Sequence, residues 1–101
     1  MEFGLSDHTL KKIRQALAAY PSVEKAVIYG SRAKGTYSRG SDIDLTLFGA
    51  DLDQKQCSDI EDALDELLLP YMIDLSVYEL LDHEGLKQHI DRVGKVLYRK
   101  K

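Results

Sequence analysis

The sequence predicts an α/β (α+β) domain, a small mixed sheet of three to four strands with helices packed on one face. Short runs rich in strand formers, AVIY at 26–29, DIDLTLF at 42–48 and MIDLSV at 72–77, alternate with stretches whose apolar residues recur every three or four positions. At 101 residues the chain is read as a single domain, residues 1–101, because folding at this size hides roughly two thirds of the surface and leaves room for one sheet and a few helices. Apolar residues make up 44% and charged ones 31%, a balance that supports a core and excludes the polar composition of a disordered chain.

Ser6 is placed to cap a helix that begins at Asp7, and Leu10, Ile13, Leu17 and Tyr20 form its apolar stripe before Pro21 closes it. Val23–Tyr29 is too short for a helix and reads as a buried strand ending at Gly30. Asp42–Phe48 alternates polar and apolar residues, which makes a second strand with Ile43, Leu45 and Leu47 facing inward. Asp53 with Gln56 resembles a capping box, and Cys57, Ile60, Leu64, Leu67 and Leu68 mark the buried stripe of a helix that stops before Pro70. Met72–Val77 is a third strand. Leu86, Ile90 and Val93 then predict a short helix with a core-facing side, and Gly94 separates it from VLY, a last strand or a helical stub. There is no repeat, low-complexity segment or linker.

Net charge is −3, without the basic footprint that phosphate backbones require, so stable nucleic-acid binding is not expected. No apolar run approaches bilayer length, and MEFGLSDHTL lacks the basic opening and apolar core of a signal peptide. The single cysteine, Cys57, excludes an internal disulfide and fits a reducing compartment. The expectation is a soluble, cytoplasmic protein with no membrane contact.

The chemistry concentrates between Gly30 and Asp74. Asp42 and Asp44 lie on one face of their strand, about 6.6 Å apart along the chain. Two carboxylates aimed at one point repel each other unless a cation lies between them, and Mg²⁺ takes oxygen ligands from one or two carboxylates plus substrate phosphates. Asp74 interrupts an apolar strand and, if that strand lies beside the second, joins the same face, giving three carboxylates able to hold two ions about 3.5–4 Å apart. Gly30 lets the backbone approach a ligand closely. Ser31-Arg32-Ala33-Lys34 starts a helical turn whose free N–H groups point at an anion, and Ser31 adds a hydroxyl. A triphosphate lying from Ser31 to two metals would present its α-phosphorus near the aspartates, where a hydroxyl could attack it and Asp74, bound to one metal, could accept its proton or help lower its pKa. That chemistry is nucleotidyl transfer with pyrophosphate leaving. GSRAKG lacks the order of a Walker A loop. Arg32, Lys34 and Arg39 are candidate triphosphate contacts or solvated loop cations, and Gly35 and Gly40 are turn formers. Tyr29 packs under a nucleotide or belongs to the core. His8, His83 and His89 show no metal-ligand spacing and are read as structural, and Arg99-Lys100-Lys101 as a solvated tail.

Gly30-Ser31, the ten residues 32–41 and then Asp42-Ile43-Asp44 resemble the GS-x10-DxD signature of the DNA polymerase β-like nucleotidyltransferases, and Asp74 stands where that superfamily places its third carboxylate. In length, and in YGSRAKG and SDIDL, the chain is similar to the minimal nucleotidyltransferases (MNT proteins) of bacteria and archaea. The resemblance implies a polymerase β palm-like nucleotidyltransferase fold, Asp42, Asp44 and Asp74 as ligands of two Mg²⁺ ions, and Gly30 and Ser31 at the nucleotide, to which Arg32 is added as a candidate contact from its place after the Gly-Ser step. It also implies ATP as substrate and a HEPN-domain ribonuclease toxin as partner, silenced by AMP transfer onto a tyrosine. Larger members carry extra domains for base and acceptor, so a lone catalytic core implies either a folded protein as acceptor, which fits the toxin and antitoxin reading better, or a binding function only. Two alternatives stand beside it: an antitoxin that neutralises by binding alone, and a nucleotidyltransferase acting on a small polycation such as an aminoglycoside.

Overall fold

Ser6 caps the first helix as its sequence predicts: its hydroxyl accepts from the Thr9 amide at 3.1 Å, and helix α1 runs Asp7–Ala18 with Leu10, Ile13 and Leu17 buried. The structure is a computed structural model describing residues 2–101. After α1 come β1 (Lys25–Tyr29), the short α2 (Gly30–Lys34), β2 (Ile43–Phe48), α3 (Gln54–Asp65), β3 (Ile73–Val77), a 3-10 turn (Tyr78–Leu80), α4 (Glu84–Val93) and β4 (Lys95–Arg99). Spatial order is β3-β2-β1-β4. β1 is antiparallel to β2 and β4, while β2 and β3 are parallel, a pairing that needs a crossover and receives it from α3.

Strand alternation divides the molecule into two apolar layers. Ala26, Ile28, Ile43, Leu45, Leu47, Leu75 and Val77 face α1 and α3 and form the main core with their buried stripes. Val27 and Tyr29 point the other way, toward Ile90, Leu86 and Val93 of α4. The two long helices therefore share one face as expected, and α4 covers part of the other. VLY forms a strand with a bulge: the β1–β4 register shifts between Ala26 and Val27, and Leu97 and Tyr98 both contribute to the main core.

Several boundaries differ from the sequence reading: β1 begins at Lys25 rather than Val23, and β2 at Ile43 rather than Asp42. The α3 stripe ends at Leu64, with Leu67 only half-buried, and Leu68 is 88% exposed at φ 55°, beyond the helix. Met72 is 74% exposed and lies just outside β3. Arg99 belongs to β4, and Lys100 is anchored through its amide to Glu24 O at 2.8 Å and its ammonium to Pro21 O at 3.0 Å, leaving only Lys101 as a tail. The Asp53 cap forms, with its carboxylate accepting from the Gln56 amide at 2.8 Å, but the Gln56 side chain donates to Asp51 O instead of returning to Asp53. Among the described residues no helix is long and apolar enough to cross a membrane.

Candidate active site

The sheet register assembles the acidic face. Antiparallel pairing sets Tyr29, the end of β1, opposite Asp44, and parallel pairing sets Asp44 opposite Asp74. These three residues form a row across β1, β2 and β3 on the face turned away from the main core, with adjacent strands about 4.8 Å apart. Asp42 lies just ahead of β2 and is exposed, two residues from Asp44 and so directed to the same side. The register thus brings Asp44 and Asp74 together, with Asp42 at the margin.

Among the described residues no basic side chain forms an ion pair with this row. Burial pushes the Asp44 carboxyl above its usual range, and the charges of Asp74 and Asp42 push it further, with a smaller opposing effect from His89. None of the three aspartates is in an ion pair; among the described residues the pairs are Arg14–Glu2 and Lys55–Asp59. Beneath them, the Ser76 hydroxyl donates to the Thr46 hydroxyl at 3.0 Å. Tyr29 is buried, which raises its pKa; the Ser76 hydroxyl opposes that shift, and Asp74 and Asp44 add to it. Its phenol therefore stays protonated at neutral pH.

Gly30 is the backbone side of the same pocket. It adopts φ 73°, and a Cβ built there would collide with Oδ2 of Asp44. Only glycine combines that left-handed conformation with so close an approach to the carboxylate. The Ser31-Arg32-Ala33-Lys34 turn forms as anticipated within α2, which has no side-chain cap at its start and ends on Gly35 at φ 81°. Gly35 and Gly40 both adopt positive φ, as turn formers do.

Arg32, expected at the triphosphate, is instead turned inward and is only 3% exposed. Its Nε and Nη2 donate to Ser41 O at 3.0 and 2.8 Å, and its Nη1 donates to Phe3 O at 2.8 Å. Its guanidinium lies 4.8 Å from the Tyr71 ring centre and 5.4 Å from that of Tyr37. Lys34, at the end of α2, and Arg39, in the following loop, are both exposed. His83 caps α4, its Nδ1 accepting from the Leu86 amide at 2.9 Å, consistent with a structural role. His89, read as structural, packs its ring edge-on against Tyr29 at 6.1 Å. The available signal was its spacing, three after Leu86 and four before Val93, which puts it on the inward stripe of α4.

The donor set suits a hard cation that shares its coordination with a substrate. Among the described residues no three His, Cys, Asp or Glu side chains are gathered closely enough to form a complete metal cage. Mg²⁺ seldom uses such a cage, retaining water and phosphate ligands beside one or two carboxylates. The in-register, unpaired Asp44 and Asp74 with Asp42 beside them meet that requirement.

Comparison with known proteins bears on the family and the fold. Residues 11–101 match the family model described as polymerase beta, nucleotidyltransferase. A toxin-antitoxin crystal structure with AMP-PNP is 26% identical, with a TM-score of 0.71 over 96% of this chain and 76% of that one. The toxin-antitoxin MntA-HepT gives 23% identity and a TM-score of 0.70, covering 94% of this chain and 74% of that one. The tri-AMPylated Shewanella oneidensis HEPN toxin in complex with MNT antitoxin gives 22% identity and 0.71, covering 95% and 74%. The latter two likenesses speak to the fold alone. No protein of curated function matches the chain. With its family model spanning residues 11–101, the chain belongs to the polymerase beta nucleotidyltransferase family.

Proposed function

We propose that this protein is a Mg²⁺-dependent protein adenylyltransferase that transfers AMP from ATP to a tyrosine hydroxyl of a HEPN-domain toxin, acting as its cytoplasmic antitoxin. One observation carries the reading: Asp44 and Asp74 are adjacent in register, in no ion pair among the described residues, beside a glycine whose backbone lies against the Asp44 carboxylate. Support for the nucleotide comes from the solved toxin-antitoxin relative with AMP-PNP, and for the acceptor from the fold shared with the antitoxin bound to an AMPylated HEPN toxin.

In this reading Asp42, Asp44 and Asp74 hold two Mg²⁺ ions, which when bound neutralise the triphosphate and lower the pKa of the attacking hydroxyl. Gly30 and Ser31 hold the triphosphate through backbone N–H groups and the Ser31 hydroxyl. The acceptor oxygen bonds to the α-phosphorus, the bond from that phosphorus to the bridging oxygen breaks, and pyrophosphate leaves with the electron pair. The proton of the acceptor hydroxyl passes to Asp74. Tyr29, protonated and buried at the β1 end of the row, supports the side of the site and takes no proton. The carboxylates are open to solvent on one side, which suits a protein acceptor that closes the site by docking.

The test is incubation with Mg²⁺, the HEPN protein encoded beside this chain, and ATP labelled at either the α or the γ position. Label from the α position alone, lost in Asp42→Ala/Asp44→Ala, supports adenylyl transfer. Toxin silenced equally by wild type and the double variant, with no label on it, would leave an antitoxin that acts by binding and overturn the enzyme reading.

A further inference from the structure

We infer that Arg32 is a positioning residue for Asp42, fixing the peptide that leads into β2 without touching the triphosphate. The inference rests on the nucleotidyltransferase reading above and assigns a role within its site. Asp42 precedes the sheet ladder, whose β2–β3 pairing extends back only to the Ile43 amide, which donates to Met72 O at 2.9 Å. Its side chain makes no hydrogen bond or ion pair among the described residues, so its place is set by the backbone on either side. On the far side that backbone is Ser41, whose carbonyl carbon is bonded to the Asp42 nitrogen. Arg32 holds this carbonyl with two donors at once, Nε at 3.0 Å and Nη2 at 2.8 Å, and so fixes the plane of the Ser41–Asp42 peptide.

The other bonds of the loop cannot do this. Ser41 donates its amide to Ser38 O at 3.1 Å and its hydroxyl oxygen accepts from the Ser38 amide at 2.8 Å, which closes a turn inside the loop but ties it to nothing outside. Arg32 connects the turn to α2 and, through Nη1 to Phe3 O at 2.8 Å, to the N-terminal segment. The Tyr71 and Tyr37 rings, at 4.8 and 5.4 Å, bear on the guanidinium and limit its movement. Arg32 forms no ion pair among the described residues and is 3% exposed, so carbonyl dipoles and ring faces are what its charge meets. The arrangement needs a planar, multi-donor cation. Lysine offers a point charge with no fork and cannot hold a peptide plane.

The test separates metal affinity from nucleotide affinity, using Mn²⁺ as a spectroscopic stand-in for Mg²⁺ and requiring no transfer reaction. Mn²⁺ binding is measured by electron paramagnetic resonance titration for wild type, Arg32→Lys and Asp42→Ala, and ATP affinity is measured at saturating Mg²⁺. Arg32→Lys is expected to weaken Mn²⁺ binding about 10-fold, as loss of a residue that orients a ligand typically does, while ATP affinity at saturating metal stays within roughly twofold. Hydrogen exchange at amides 38–42 accelerates in the same variant. The opposite split, weakened ATP binding with unchanged Mn²⁺ binding, would make Arg32 a triphosphate contact and overturn the inference. So would unchanged Mn²⁺ binding in Arg32→Lys, or wild-type Mn²⁺ binding that Asp42→Ala does not weaken. Where Arg32→Lys fails to fold, Tyr71→Leu removes one ring face and keeps every hydrogen bond of Arg32. A smaller loss of Mn²⁺ affinity is expected there, and none would refute the inference. A wild type that binds Mn²⁺ and ATP but labels no HEPN protein refutes the proposed function and leaves this result standing.

Discussion

Replacing Asp44 with asparagine should stabilise the metal-free protein. Asp44 and Asp74 sit opposite each other on neighbouring strands, about 5 Å apart by strand spacing. Two like charges at that separation repel by about 1 kcal/mol in water and about 3 kcal/mol at an effective dielectric of 20. Asp44 is half-buried and Asp74 exposed, so solvent screening keeps the value nearer the lower figure. Asparagine keeps the shape and removes the charge, so thermal unfolding in a chelating buffer at neutral pH should show a rise of about 4 °C or more, the shift expected for about 1 kcal/mol in a domain of this size. The pH dependence follows from the raised Asp44 pKa. The folded state holds that proton more tightly than the unfolded state, so the associated stability is complete below the ordinary carboxylate pKa and is lost as pH rises through the raised value. Wild type and Asp44→Asn should therefore have similar stability in acid and separate toward neutral pH. An asparagine variant no more stable at neutral pH, or a difference that ignores pH, would show that the carboxylates do not repel and would refute the argument that the site awaits a cation.

Gly30→Ala forces an L side chain to φ 73° against Asp44, so denaturant unfolding should show a loss of about 1–2 kcal/mol and nucleotidyl transfer should fall below detection; wild-type values for both would contradict the packing described. Leu68→Gly relieves a left-handed leucine that is 88% exposed and should stabilise by about 0.5–1 kcal/mol, net of the entropy glycine adds to the unfolded chain; a loss in the same assay would count against strain at that position. Leu45→Ala empties a fully buried position in the central strand β2 and should cost about 2–5 kcal/mol in urea unfolding. A smaller cost would mean that the core beneath the site is not closely packed.

The parts of the fold that periodicity controls were legible in the sequence. Ser6, the α1 stripe, the inward Ile43, Leu45 and Leu47, and the stop before Pro70 are local signals, and each is where the structure puts it. The Asp44–Asp74 adjacency depended on one non-local assumption, that β3 lies beside β2, and α3 supplies the crossover that makes it so. What was not legible also has physical causes. Leu68 continues a helical pattern that the chain abandons after Glu66, because apolar spacing does not record where backbone hydrogen bonding stops. The destination of the Arg32 guanidinium depends on Ser41 and Tyr37 in an irregular loop and on Phe3 and Tyr71, remote from it in sequence, so a basic residue beside Gly-Ser reads as a phosphate contact until those partners are known. His89 was passed over because it lacks metal-ligand spacing, although its helical stripe directs it at Tyr29.

The most direct test of the account is the intact mass of the HEPN partner after co-expression with wild type and with Asp42→Ala/Asp44→Ala. The account predicts one or more AMP additions, located on tyrosine, with wild type and none with the double variant. An unmodified partner that is nonetheless silenced in both cases would contradict it.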